Sequence, residues 1–298
     1  MVANGVSFTN VSPNSFSKQQ FQKSLQNIGT CIVISLASLF IPTLPNDAYA
    51  IPPAMTSSTQ TISINSCGSI QEWNLPNGEV KLHQVENIAS FSLQDFELLG
   101  SGGGGAVFAT TARVNESNQK IALKVSWVRS ANSVSNECKI LNILQDQNTR
   151  HVEQCLANEP YPLDERRVMI LMQPVVENAV ARLDEVNETV RIKSVQGIIE
   201  AMVDILAANV VTSDVQPLIN RESGQVLFID MTEASIISNP PSFLDLAMVS
   251  SFCSEMTTLI PEDLLDVASK FLRNELSKKE MVPEVRDIVE SLNVYTFS

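Results

Sequence analysis

The run Gly100-Ser101-Gly102-Gly103-Gly104-Gly105-Ala106-Val107 constrains this chain more than any other segment. Its glycines repeat as G-x-G-x-x-G, and apolar stretches flank them at 96–99 and 106–112. Without Cβ atoms a backbone can close over a polyphosphate, so the run is a candidate phosphate cradle. A dinucleotide-binding crossover would need a helix directly after the glycines, whereas here a second strand follows. The glycines therefore belong to a β-hairpin.

Strands come first along the chain and helices later. Residues 51–66 read as a Pro-, Ser- and Thr-rich linker, and segments 70–73 and 80–85 flank Pro76-Asn77-Gly78, a turn signal for a small hairpin. After the glycines another short strand is expected over 121–127, then a helix marked by Val134, Ile140, Leu141 and Leu144. A strand over 168–172 precedes a long helix whose apolar face is Val195, Ile198, Ile199, Met202, Ile205 and Leu206. Helices are expected again over 244–256, 261–276 and 283–292, the last two opening with Pro in the first turn. The fold class is α+β.

With 298 residues, 44% of them hydrophobic and 18% charged, the chain can bury a large core. A net charge of -13 argues against nucleic acid or an anionic lipid surface as partner. Cys31, Cys67, Cys138, Cys155 and Cys253 show no CxxC spacing, and His83 and His151 are the only histidines, so a zinc centre lacks its ligands.

Residues 1–46 hold no Asp, Glu or Arg; Lys18 and Lys23 precede an apolar run over 28–41, and Ala48-Tyr49-Ala50 follows. The apolar core is shorter than the roughly 20 residues of a membrane span, so residues 1–50 read as a signal or targeting peptide cleaved after Ala50. Secreted, periplasmic and thylakoid-lumenal destinations all fit, with no stable membrane insertion after processing; an uncleaved segment would tether the chain to a membrane. In an oxidising compartment Cys138 and Cys155 are the expected disulfide pair, although a fully reduced set stays open.

The strand after the hairpin carries Ile121-Ala122-Leu123-Lys124-Val125, and the next helix carries Glu137. Together with the glycines this resembles the protein-kinase superfamily in a shortened form. The resemblance covers residues 91–298. It implies a two-lobed fold, with an antiparallel β N-lobe over 91–175 and a mainly helical, reduced C-lobe over 176–298. It also implies ATP and magnesium. Gly100, Gly102 and Gly105 would cover the phosphates, Lys124 would grip them with Glu137 as its partner, and Val107 and Ala122 would sandwich the adenine. Leu171-Met172-Gln173-Pro174-Val175 resembles the hinge, with Met172 as gatekeeper and the backbone at Gln173 and Val175 reading the adenine edge. Val211-Thr212-Ser213-Asp214 and Phe228-Ile229-Asp230 resemble the catalytic loop and the metal-binding strand end. Asp214 would then be the catalytic base, Asp230 a metal ligand and Asn220 the nearest candidate for a second one. Asp245 would brace the catalytic loop.

The departures are specific. Thr212-Ser213 stand where the family has His-Arg, Gln216 where it has a lysine, and Met231-Thr232 where it has Phe-Gly. Residues 230–245 leave little room for a peptide-binding platform. The expected activity is transfer of the γ-phosphoryl of ATP to Ser or Thr of a protein. Two alternatives are carried: a pseudokinase scaffold that binds nucleotide or a protein partner without catalysis, and a small-molecule hydroxyl kinase.

Overall fold

The computed structural model describes residues 58–66, 69–83, 88–102, 105–114, 117–127, 131–156 and 160–295. The expected targeting peptide lies outside the described residues, as do Cys67, Gly103 and Gly104. The protein is α+β, built on an antiparallel sheet with several helices. Strands β1 (Ser58–Ser66), β2 (Ser69–His83), β3 (Ile88–Gly102), β4 (Gly105–Val114) and β5 (Ser117–Trp127) follow one another as neighbours in the sheet. Helix α1 (Ala131–Asp146) comes next. After it, β6 (Gln154–Cys155), β7 (Tyr161–Asp164) and β8 (Arg167–Gln173) complete the sheet, with β8 pairing β5, β6 and β7.

Alternation along β5 explains why this sheet is covered on both faces. Ile121, Leu123 and Val125 point to one side and are fully buried with Leu93, Phe108, Met169 and Leu171. Ala122 points to the other side and joins Ile170 and Met172 of β8 in the larger core, which continues into α1 and the C-terminal helices. Lys124 shares that second face, two residues from Ala122.

The expected hairpin around Pro76-Asn77-Gly78 is not formed. Residues 69–77 of β2 pair with β1, and from Gly78 onward the same strand pairs with β3. The local turn chemistry is overridden because the strand changes partner at Gly78; Pro76, opposite Thr59, has a ladder neighbour on one side only and its missing N–H is tolerated there. Residues 58–66, expected as linker, are β1, paired antiparallel with β2 up to Ser66 opposite Ser69.

The C-terminal half opens with β9 (Ala179–Val180) and α2 (Glu188–Ala207). The Asn187 side chain caps α2 by accepting the Thr189 N–H, and from Val195 to Leu206 almost every residue of the helix is buried, which makes it the central rod of this half. Strands β10 (Val210–Thr212), β11 (Gln216–Asn220), β12 (Val226–Ile229) and β13 (Ala234–Ile236) follow; β10 pairs β13, and β11 lies between β12 and β9. Helices α3 (Phe243–Thr258), α4 (Leu265–Leu276) and α5 (Pro283–Tyr295) close the chain. Among the described residues no single helix is long and apolar enough to cross a membrane.

Candidate functional site

Two elements meet at Lys124, one the next helix and one more than a hundred residues on. Its ammonium donates to both carboxylate oxygens of Glu137 on α1, at 2.8 and 2.9 Å, and to Oδ1 of Asp230 beyond β12 at 2.8 Å. The Glu137 side chain is fully buried and that of Lys124 is 13% exposed, so water screens the pair little. Burial alone would lower Lys124, but the charges of Glu137 and Asp230 outweigh it and raise its pKa. Asp230 is pushed up by burial and held below its ordinary value by the charge and hydrogen bond of Lys124, with help from the Thr232 hydroxyl at 2.7 Å.

Two adjoining cavities open beside this cluster. One, of about 230 Å³, has an apolar lining that includes Leu99, Val107, Ala122, Met172, Leu218 and Leu227. The other, of about 440 Å³, is bordered by Gly100, Gly105, Lys124, Ser126, Asp230 and Thr232. Both include Gly100, Val107, Lys124, Gln216 and Asp230 in their walls, so they form one cleft with an apolar end and a charged end. That division suits a ligand with a flat apolar moiety and an anionic tail.

The glycines differ in what they do. A Cβ on Gly105 would lie 2.0 Å from the carbonyl oxygen of Val125, so the packing of β4 on β5 requires glycine there. A Cβ on Gly100 would meet no protein atom within 4 Å and would stand in the cleft, so the fold leaves this position free and only an occupant would need it bare. Gly102 ends β3 opposite Gly105, and the register shift between Leu98 and Gly100 bends β3 near the cleft.

Most of the remaining sequence-derived residues fall around the cleft. Met172 is buried in its wall, and Pro174 and Val175 border the apolar end. The Gln173 side chain turns to Gln154, donating to its Oε1 at 3.1 Å, which leaves only backbone available at that position for an occupant. Asp214 does not line either cavity; Gln216, which lines both, donates to its Oδ2 at 2.6 Å, and the Thr212 hydroxyl both accepts from its N–H and donates to its C=O.

Two expectations meet a different geometry. The Asn220 side chain is engaged within its hairpin: its Oδ1 accepts the N–H groups of Glu222 and Ser223, its Nδ2 donates to the Glu177 carbonyl, and it stands at the hairpin end of β11. Asp230 follows Ile229, which pairs with Gln216 at the opposite end of that strand, about 13 Å away at the rise of an extended chain. Asp245 does not brace the loop at Asp214. It sits in a capping box at the start of α3, with bonds from Ser242 and Ser238 that pull its carboxyl down to about 2.

One residue of the site went unread in the sequence. Glu153, buried between α1 and β6, accepts the backbone N–H of Asp230 at 2.7 Å and lines the apolar end of the cleft. Burial, with the neighbouring charge of Glu137, pushes its carboxyl up to about 8. Its segment, Val152-Glu153-Gln154-Cys155, is too short for periodicity to reveal; an acid beside buried Val152 and two residues from buried Cys155 was the only signal.

Next to these acids Cys138 and Cys155 form a disulfide, Cα to Cα 5.5 Å, which ties α1 to β6. Cys253 is a free, buried thiol that burial raises to about 12. Among the described residues no three of His, Cys, Asp and Glu are grouped as a metal cage. No family model and no curated protein matches the chain.

Proposed function

We propose that this chain is a protein-kinase-like, ATP-binding phosphotransferase whose nucleotide sits in the cleft above Lys124. The observation that carries the reading is the placement of Lys124 between a helix glutamate and an aspartate at a strand end, against a cavity with one apolar and one charged end. Order and spacing in the sequence point to this grouping, and folding brings the three groups within hydrogen-bond reach. Adenine would lie between Val107 and Ala122 on one side and Leu218 on the other, with the phosphates toward Lys124 and the bare backbone at Gly100. Magnesium commonly takes one or two carboxylates and completes its shell with water and phosphate oxygens. Asp230 fits that demand as one ligand, its carboxylate part-exposed at the charged end of the cleft. The bound ion would neutralise phosphate charge there.

Asp214 lies beside Gln216 and is the residue in this arrangement suited to orient an acceptor hydroxyl and receive its proton, with serine or threonine of a protein as acceptor. The nucleotide-binding scaffold without transfer is a second reading, favoured by one observation: Asn220 is committed to its hairpin, so a second metal ligand from β11 is missing.

Radiolabelled ATP offered to the full chain with a basic protein and a set of amino alcohols decides between them. Label in the protein that disappears with Asp214→Asn, while nucleotide binding persists, is the expected result; Asp230→Asn should weaken both. Label only in a small alcohol would point to a small-molecule kinase, and tight Mg-ATP binding with no transfer would leave the scaffold. Absence of binding to any nucleotide would end all of these readings.

A further inference from the structure

The path of the chain through Asp230 needs a partner that no kinase-like motif supplies. Strand β12 ends at Ile229, and Asp230 takes a left-handed conformation, φ 61° and ψ 67°, which turns the chain into the short 3-10 turn at Met231–Glu233. This conformation is unfavourable for a non-glycine residue, and the turn takes the Asp230 N–H out of the ladder into a part-buried place where an unpaired donor is expensive. The Glu153 carboxylate accepts that N–H at 2.7 Å.

Glu153 is itself anchored to the same strand. Its N–H donates to the Phe228 carbonyl at 3.1 Å, Phe228 N–H donates to the His151 carbonyl at 2.7 Å, and Val152 lies parallel to Phe228. Two residues on, Cys155 pairs with Met172 on β8 and is bonded to Cys138, the neighbour of Glu137. Backbone pairing thus ties Glu153 to Phe228, two residues before Asp230, and its side chain reaches forward to the Asp230 N–H. Lys124 and Thr232 hold the Asp230 carboxylate.

We propose that Glu153 is the positioning residue that holds Asp230 in its left-handed turn, so that the Asp230 carboxylate faces the charged end of the cleft. The assignment rests on the nucleotide reading only for what Asp230 does there. Its physical core, one acceptor for one N–H, is independent of any ligand. Glu153 borders the apolar end of the cleft while its carboxyl accepts the Asp230 N–H, so a change that removes the acceptor should act more on the phosphate and metal end than on the base.

Two measurements on the full chain test this. Hydrogen exchange at the Asp230 amide, read by NMR without ligand, should speed up about tenfold or more in Glu153→Met, which matches the length but lacks an acceptor. It should stay within about threefold of wild type in Glu153→Gln, whose amide oxygen accepts the same bond. Titration calorimetry should show Mg-ATP binding weakened about tenfold or more by Glu153→Met, adenosine binding weakened severalfold less than Mg-ATP binding, and Mg-ATP binding restored by Glu153→Gln. An amide in Glu153→Met that exchanges at the wild-type rate overturns the assignment, as does a Glu153→Gln that loses protection like Glu153→Met. Equal loss of adenosine and Mg-ATP in Glu153→Met also overturns it, because it marks general damage to the core. If Glu153→Met does not fold, Glu153→Gln alone decides, since it keeps the acceptor and removes the titrating carboxyl: protection retained supports the proposal and protection lost rejects it. A wild-type chain that binds neither adenosine nor Mg-ATP removes the nucleotide reading, while amide exchange still judges Glu153.

Discussion

At the scale of single residues, Gly100 and Gly105 differ in what packing demands of them. A Cβ at Gly105 would clash with backbone, the carbonyl of Val125, and the clash cannot be relieved by a rotamer change. Gly105→Ala should therefore destabilise the sheet by about 1–3 kcal/mol, measured by urea denaturation. Gly100→Val meets empty space and should leave stability within about 0.5 kcal/mol while reducing nucleotide affinity severalfold. A stable Gly105→Ala, or an unfolded Gly100→Val, would contradict the division. The sequence carried the glycines as a single motif; their separate roles depend on the distance between β4 and β5, which no local pattern contains. The same limit explains Asn220 and Glu153. Asn220 has the right residue type near the right place, but strand pairing sets it at the wrong end of β11. Glu153 has no motif, and its role arises from the parallel bridge between Val152 and Phe228 across a long stretch of chain.

At the scale of elements, what decides legibility is whether the signal that sets an element lies within a few residues of that element. Helices α1 and α2 and strands β4, β5 and β8 show their apolar periodicity within a window of a few residues, and the structure forms them where that periodicity lies. Strand β2 shares its length between two partners, so a local turn signal at Pro76-Asn77-Gly78 loses to pairing on both sides of it. The disulfide is an element-scale device as well: Cys138 and Cys155 are 17 residues apart and join α1 to β6, the two elements that present Glu137 and Gln154 to the sheet. A loop of this length corresponds to about 3 kcal/mol in the chain-entropy model. Cys138→Ser with Cys155→Ser is expected to lower unfolding free energy by about that amount, and reductant should have no further effect on the double variant. Wild-type stability that is indifferent to reductant, in the unfolded as well as the folded protein, would argue that the bond contributes nothing.

At the scale of the whole molecule, two sets of buried carboxylates set opposite limits on stability with pH. In the C-terminal half, Arg150 donates to Asp204 at 2.8 and 3.0 Å and to Glu275 at 2.7 Å, and Lys279 reaches Asp204 at 3.0 Å. This joins the segment after α1 to α2, α4 and the turn beyond it. Burial alone would raise both carboxyls, but Arg150 and Lys279 at Asp204, and Lys278 and Arg150 at Glu275, overrule it and hold both below their ordinary values. Groups depressed by folding add stability that is complete above their unfolded values, near 3.8 and 4.5, and is lost as pH falls through the folded ones. In the cleft the sign is reversed. Glu153 rises from 4.5 to about 8 through burial and the charge of Glu137, so the folded protein retains a proton that the unfolded chain gives up. That contribution is full below pH 4.5 and disappears as pH climbs to about 8, a slope approaching 1.4 kcal/mol per pH unit for one group. Stability should therefore peak near pH 5, falling on the acid side through Asp204 and Glu275 and more gradually on the alkaline side through Glu153. Urea unfolding from pH 3 to 9 measures the profile. Glu153→Gln should flatten the limb between pH 5 and 8 without moving the acid limb, and Asp204→Asn should do the converse. An alkaline limb that persists in Glu153→Gln would assign the proton to another group in the cleft, with Glu137 the next candidate because it is buried against the same lysine.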